Sequence, residues 1–450
     1  MNVNPAIFKA YDIRGKVGVE LTPEVAERVG RAMAQWLPTA GPVAVGRDMR
    51  PDSGELAEAA IAGLLASGRD AIDIGEVTSD MIYFAVGEEK LAGGIMITAS
   101  HNPGEYNGIK LCAEEAKPMS LEGGLGAVRD LVIANSFKDA SKAGKRNSRK
   151  ITDAWVEHAL SFIDPGMLTP LRIAVDAGNG MAGAVFPTLE KHVPWHITEL
   201  YFQLDGTFPN HEANPMKFET LAELIKTIRK NNLDGGVAFD GDGDRAFIVD
   251  ETGEVLSGGV MSALLADYFL QKFPESHIVY DARNSHTVPE IIRAANGKPT
   301  ISRVGHSLIK QKMREVDAPF GGEASGHFYF RDNWYADSGL IAAVIGLYVA
   351  TLSGKRLSYL RKQYSHYHVI PETNFDVDDK QAAIQRIKDA FSSEKQDELD
   401  GISIFLPDDS WFNVRPSNTE SILRLNAEAK SLEQLEQLVA KVTSIIQKAD

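Results

Sequence analysis

Ser100 lies in the run Thr98-Ala99-Ser100-His101-Asn102-Pro103, directly after the buried-strand pattern Gly94-Ile95-Met96-Ile97. A loop at a strand's carboxyl end is where open α/β sheets bind ligands. Serine is a weak nucleophile unless something activates or already modifies it. Adjacency in sequence does not place the His101 ring on the seryl oxygen, and the run also reads as an Asn-Pro turn capping backbone groups. Asp240-Gly241-Asp242-Gly243-Asp244-Arg245 sets three carboxylates at alternate positions, with glycines that allow a tight reversal. Such oxygens suit a hard cation, and Mg²⁺ typically takes a few protein carboxylates plus a phosphate oxygen. The same aspartates could open a calcium loop with Glu251 at its twelfth position. That loop requires glycine where Arg245 stands, and the flanks 236–239 and 246–249 read as strands, not helices.

Gly322-Glu323-Ala324-Ser325-Gly326-His327 gathers an acceptor, a hydroxyl and an imidazole, a set suited to sugar hydroxyls or to a polar turn before a strand at 328–330. Arg415-Pro416-Ser417-Asn418-Thr419-Glu420 follows a strand at 411–414 and offers a planar guanidinium with hydroxyls and an amide. That suits a phosphate as well as a surface turn. Tyr11-Asp12-Ile13-Arg14-Gly15 and Asn107-Gly108-Ile109-Lys110 add two cations, which count only in company. Gly178-Asn179-Gly180-Met181-Ala182-Gly183 matches the dinucleotide fingerprint, with Glu199 about twenty residues on. Asp176, however, would set a carboxylate against an incoming pyrophosphate, and the other motifs point to phosphoryl chemistry. A structural strand–turn–helix is the preferred reading.

The elements that must carry these loops alternate between strand and helix in three successive segments. Thr22-Pro23 reads as a helix start, followed by Val25, Val29, Met33 and Trp36 at helical spacing. Strands are expected at 43–46, 71–74 and 94–98, with a helix from about 55 to Gly68. The basic stretch Lys138, Lys142, Lys145, Arg146, Arg149, Lys150 reads as a solvated linker. The second segment has strands at 171–176, 197–202 and 236–239 and a helix at 221–230. The third has strands at 278–281 and 300–304 and helices at 260–272, 289–295 and 307–316. After 365 a helix at 381–391, two or three strands within 402–426 and a helix at 432–448 read as a smaller α+β domain. Gly93-Gly94, Gly235-Gly236 and Gly321-Gly322 each precede one of the polar loops, a weak echo of repetition.

Over 450 residues, 44% apolar and 24% charged, the chain reads as a soluble globular protein of three or four domains. Its net charge of −15 argues against a nucleic-acid partner and requires any anionic ligand to meet local cations. Cys112 is the single cysteine, and the first residues lack a signal-peptide pattern, so a reducing cytoplasm is expected. The apolar run 340–352 is too short to span a membrane and reads as a buried helix. Monomer is the default, with no membrane partner.

Taken in order from Tyr11 to Thr419, these motifs resemble the α-D-phosphohexomutase superfamily, specifically its bacterial phosphomannomutase/phosphoglucomutase group, over essentially the whole chain. The resemblance implies an α/β fold of four domains around a central cleft, bounded near 1–148, 149–251, 252–366 and 367–450. Three similar α/β domains would carry the phosphoserine, metal and sugar loops, followed by a smaller α+β phosphate-binding domain. It implies interconversion of hexose 1-phosphate and hexose 6-phosphate, mannose or glucose, through phosphoserine and a 1,6-bisphosphohexose. Mg²⁺ is the implied cofactor and glucose 1,6-bisphosphate the activator. Ser100 would carry the phosphoryl group, sharing Mg²⁺ with Asp240, Asp242 and Asp244. Lys110 and His327 would be acid/base candidates beside His101 and Arg245. Glu323 and Ser325 would hold ring hydroxyls, and Arg415, Ser417, Asn418 and Thr419 the phosphate not being transferred. Tyr11, Arg14, Arg283 and His306 would complete substrate binding, Arg283 standing where some relatives carry Lys. A phosphoglucosamine mutase and a non-catalytic sugar-phosphate binder are the alternatives.

Overall fold

Thr22 caps the first long helix, α1 (Pro23–Trp36), its hydroxyl accepting from the Val25 N–H. Val25, Val29 and Met33 bury the face their spacing predicts. In the computed structural model of the chain, residues 3–417 and 422–447 are described. They belong to two units, one of residues 1–256 with 325–358 and the other of 257–324 with 359–450.

In the first unit, β1 (Ile13–Lys16), β2 (Val43–Arg47), β3 (Ala71–Glu76), β4 (Gly93–Ile97), β5 (Tyr106–Ala113) and β6 (Arg146–Ser148) form a sheet in the order β1-β5-β4-β2-β3-β6. Helices α2 (Ser53–Ala66), α3 (Ser79–Glu88) and α4 (Gly126–Ala134) accompany it. The chain continues through α5 (Thr152–Leu160), β7 (Arg172–Asp176), α6 (Ala182–Leu189), β8 (His196–Leu200), α7 (Ala222–Asn231), β9 (Gly235–Phe239) and β10 (Ala246–Asp250). These strands form a second sheet, β10-β9-β7-β8. β9 and β10 are buried throughout and pair Phe239 with Ala246, so residues 240–245 form the hairpin's tip.

The second unit begins with α8 (Gly258–Lys272), β11 (His277–Asp281), α9 (Thr287–Ala294), β12 (Lys298–Ser302), α10 (His306–Val316) and β13 (Phe320–Gly322). Residues 325–358 return to the first unit as β14 (Phe328–Phe330), β15 (Ala336–Asp337) and α11 (Gly339–Ser353), whose cap Ser338 accepts from the Ile341 N–H. Among the described residues no single helix is long and apolar enough to cross a membrane, and α11 is buried along most of its length. After α12 (Leu357–Gln363), the second unit adds β16 (His368–Val369), β17 (Thr373–Asp376), α13 (Lys380–Ala390), β18 (Lys395–Asp397), β19 (Ile402–Phe405), β20 (Trp411–Pro416), β21 (Ile422–Ala429) and α14 (Leu432–Ile446). Its C-terminal strands run in the order β16-β21-β20-β19-β18, with β17 on β21.

The repetition hinted at by the glycine pairs is topological. β2 lies parallel to β3 and β4, β7 to β8 and β9, and β11 to β12 and β13. The glycine pairs sit in β4, β9 and β13, the third strand of each set. Each polar loop therefore leaves the carboxyl end of an equivalent strand. The basic stretch is not wholly a linker: Arg146–Ser148 is the edge strand β6, and Arg146 pairs with Glu58 and Asp73. An edge strand exposed on both faces has no apolar alternation to betray it.

Candidate active site

The hairpin β9–β10 presents Asp240, Asp242 and Asp244, all buried, with ligand oxygens lying within 4.8 Å of one another. Their position follows from two apolar strands that must reverse over six residues. Ser100 follows β4 and is 4% exposed; its φ of +52° is left-handed. Its hydroxyl lies 3.2 Å from Asp240 Oδ2, to which it donates, and 3.1 Å from His101 Nδ1. Serine loop and aspartate loop are pressed together at backbone level. A Cβ on Gly241 would come 2.6 Å from the Ser100 carbonyl oxygen, and one on Gly180 would come 2.7 Å from the Gly241 carbonyl oxygen. The dinucleotide-like glycines thus buttress the aspartate loop, and the Met181 N–H donates to Gly241 O at 2.9 Å.

Cations surround the three carboxylates. Lys110, on β5, places Nζ 2.6 Å from Asp242 Oδ2 and 2.6 Å from Asp244 Oδ2. Arg245 donates from Nε to Asp240 Oδ2 at 2.7 Å and from Nη2 to His101 Nδ1 at 2.6 Å. Burial disfavours charge on Lys110, but Asp242 and Asp244 outweigh it and hold the ammonium well above the usual lysine range. Burial pushes Asp240 up to about 7 against the pull of Arg245. Burial would also raise Asp244, yet Lys110 and His327 hold it below the usual carboxylate range. Burial, then Arg245 and Arg14, keep the His101 imidazole neutral. His327 Nδ1 lies 3.0 Å from Asp337 Oδ2 and 3.9 Å from Asp244 Oδ1. Those carboxylates override the burial penalty, so His327 titrates above the ordinary histidine value. Arg14, on β1, pairs with Asp12 and donates to the Asn102 side chain. Tyr11 is half-buried just ahead of β1, and Ser325 is half-buried in its loop.

In the second unit, Arg283 is nine-tenths buried and donates to Asp281 Oδ2 at 2.6 Å, with Glu323 at 3.6 Å and Glu372 at 3.8 Å. Glu372 also pairs with Arg415 at 3.0 Å and Arg424 at 3.2 Å, so one carboxylate is shared by three guanidiniums. Ser417 is buried at the end of β20, and His306 opens α10. Asn418 and Thr419 lie outside the described residues.

Several residues at the first unit's site escaped the sequence reading. Ser79 donates from its N–H to Asp242 O and from its hydroxyl to Asp242 Oδ2, tying the start of α3 to the aspartate loop. Buried Asp80 accepts from Thr78 and Ser338, and Asp337 holds His327. Arg50 binds the serine loop's backbone. Arg50 did carry a signal, since Gly46-Arg47-Asp48-Met49-Arg50 runs off the end of the central strand β2. The others are single residues with no spacing to mark them.

The aspartate loop fits a divalent cation on its own chemistry. Asp242 Oδ1 and Asp244 Oδ1 are buried oxygens without a hydrogen-bond partner, beside carboxylates whose mutual repulsion a cation would relieve.

Family models for phosphoglucomutase/phosphomannomutase match in consecutive order: alpha/beta/alpha domain I over residues 5–125, domain II over 153–253, domain III over 257–367 and the C-terminal domain over 372–445. Phosphohexose mutases of Xanthomonas campestris pathovar campestris are 42% identical over 427 residues, covering 94% of this chain and 95% of theirs. A phosphomannomutase of Escherichia coli is 40% identical over 434 residues, covering 94% of each chain. The crystal structure of a phosphoglucomutase/phosphomannomutase family protein from Burkholderia thailandensis superposes with a TM-score of 0.90 at 30% identity, covering 100% of this chain and 99% of that one. The chain therefore belongs to the phosphoglucomutase/phosphomannomutase family and is a phosphohexose mutase, an enzyme that moves a phosphoryl group within a sugar phosphate.

Proposed function

We propose that the chain interconverts the 1- and 6-phosphates of mannose and glucose through phospho-Ser100 and a 1,6-bisphosphohexose. One juxtaposition carries the reading: the Ser100 hydroxyl lies 3.2 Å from Asp240 within three buried carboxylates. Asp240, Asp242 and Asp244, with the phosphoserine, would hold Mg²⁺. Bound there, the ion neutralises charge on the phosphoryl oxygens, the main task in a transfer governed by positioning and electrostatics.

The protein's own groups divide the remaining work. The phosphoryl group leaves Ser100 Oγ for a free sugar hydroxyl; one P–O bond breaks, another forms, and the sugar hydroxyl's proton passes to a base. The departing Ser100 Oγ takes a proton from the Lys110 ammonium, which reclaims it when the serine is rephosphorylated. Lys110, a firmly held ammonium, and Arg245 are charge stabilisers in this scheme. His327, poised by Asp337, takes the proton and returns it when the second phosphate goes back to Ser100. His101 is a neutral hydrogen-bonding partner of the serine, and Arg14 steadies the loop through Asn102. In the second unit, Glu323 holds ring hydroxyls, while Arg283, Arg415 and Ser417, with Asn418 and Thr419, hold the phosphate not being transferred. Ser325, Tyr11 and His306 complete substrate binding. Glucose 1,6-bisphosphate would load Ser100.

The test is kcat/KM for mannose 1-phosphate, glucose 1-phosphate and glucosamine 1-phosphate, with Mg²⁺ and a trace of glucose 1,6-bisphosphate. Comparable values for the first two, with the amino sugar at least about tenfold behind, are expected. Preference for the amino sugar would reassign the substrate and leave the phosphoserine chemistry standing. Undiminished turnover in excess chelator would remove the aspartates from their role.

A further inference from the structure

We propose that Arg50 is the positioning residue that fixes the left-handed conformation of Ser100, acting on phosphoryl transfer through the backbone of the serine loop. The inference rests on the phosphoserine reading above.

Arg50 lies just beyond β2, neighbour of β4 in the sheet, and its side chain is 1% exposed. Its guanidinium meets four backbone carbonyls of one short loop. Nη2 donates to Ser100 O at 2.9 Å and to Asn102 O at 2.6 Å; Nη1 donates to Pro103 O at 3.0 Å and to Tyr106 O at 2.9 Å. Nε lies 3.3 Å from Asp48 Oδ2. Four hydrogen bonds from the two terminal nitrogens thus reach four carbonyls in a fixed planar fork, while Nε faces Asp48 as an ion pair, a pattern that a lysine's three donors could not reproduce. The Phe208 ring lies 5.2 Å over the guanidinium and covers one face of it, and a Cβ on Gly206 would come 2.4 Å from Arg50 Cα, so the backbone of Arg50 is closely packed as well.

The geometry explains how a non-glycine residue keeps φ at +52°. Left-handed residues persist where their surroundings over-determine them. Here the Ser100 carbonyl is held between Arg50 and the Gly241 backbone, and the Ser100 N–H donates to Thr98 Oγ1 at 2.9 Å. With the backbone fixed at both ends, the loop's side chains are left for other partners: His101 for Arg245, Asn102 for Arg14, and the Ser100 hydroxyl for Asp240. A shift of about 1 Å in a reacting group can cost about 10²-fold in rate. A residue that grips the serine loop by its carbonyls can therefore control transfer without contacting substrate.

Arg50→Lys keeps a positive charge beside Asp48 and loses most of the four-carbonyl grip. We expect kcat to fall about 10- to 100-fold with KM changed less than about twofold, and labelling of Ser100 by radiophosphate-labelled glucose 1,6-bisphosphate to slow in proportion. Should that variant be insoluble, Phe208→Leu, which frees one face of the guanidinium, should lower kcat several-fold, again at constant KM. Labelling and turnover at wild-type rates in a folded variant overturn the inference. So does a loss that appears in KM, or one that tracks thermal instability alone. If the wild-type chain takes no label on Ser100, the phosphoserine reading falls and this inference with it. A labelled wild type beside an equally fast Arg50→Lys overturns this inference only.

Discussion

At Ser100 the backbone pays for position. A φ of +52° costs a residue with a Cβ on the order of 1–2 kcal/mol, whereas glycine adopts it freely. Two substitutions that both delete the hydroxyl separate this strain from the chemistry. Ser100→Gly and Ser100→Ala should both be inactive, yet the glycine variant should be the more stable by about 1 kcal/mol, the reverse of the usual order of these residues. Urea unfolding of the two proteins decides it; an alanine variant as stable as the glycine variant would show that the conformation is not strained. The same economy of single residues appears in two imidazoles. His101 and His327 stand near one aspartate loop, but burial, then Arg245 and Arg14, lower the first while Asp244 and Asp337 override burial to raise the second. Two imidazoles are thus set to different tasks by their neighbours.

At the scale of elements, the turn between β7 and α6 is specified by contact with the aspartate loop. Gly180→Ala would drive a Cβ against the backbone oxygens of Gly241 and Ala177, at 2.7 and 2.9 Å, neither of which can swing aside. A loss of about 1–3 kcal/mol in stability is expected, with a raised Mg²⁺ requirement for turnover. A variant with wild-type Mg²⁺ dependence would detach this turn from the metal loop. In the second unit, Glu428 on β21 accepts from the His286 N–H ahead of α9, and burial pushes its carboxyl from 4.5 up to about 7. A raised carboxyl stabilises the fold below its unfolded value and loses that contribution as pH climbs to the folded one. Wild-type stability should therefore fall relative to Glu428→Gln between about pH 4.5 and 7, by at most about 3 kcal/mol, and run parallel above. Parallel profiles throughout would mean that Glu428 is ionised in the folded chain. Sequence periodicity located α1, β4, β9, β10 and α11 because each repeats an apolar pattern or carries a cap. It missed α3, whose residues 79–87 are buried on every side and so show no amphipathic stripe. It also missed β5, read only as a source of Lys110, and the short strands β16 to β18, too brief to alternate.

For the molecule as a whole, a net charge of −15 is reconciled with an anionic substrate by gathering cations locally. Lys110, Arg14 and Arg245 stand at the serine and aspartate loops, and Arg283, Arg415 and Arg424 stand around Glu372. The loop at Asp240 was legible from sequence because its glycines and carboxylates alternate at tight spacing, and the loop at Ser100 because serine, histidine and Asn-Pro directly follow a buried-strand pattern. Asp337 and Glu372 were not, because each acts on partners dozens or only a few residues away, at separations that follow no period. Every step of the transfer passes through the phosphoserine, and one measurement reaches it directly. Incubation with radiophosphate-labelled glucose 1,6-bisphosphate and Mg²⁺, followed by peptide mapping and a chase with mannose 1-phosphate, should place one phosphoryl group on Ser100. The label should be released at a rate matching kcat, and Ser100→Ala should take none while losing at least about 10³-fold in turnover. Turnover without label on Ser100, or an alanine variant near the wild-type rate, would contradict it.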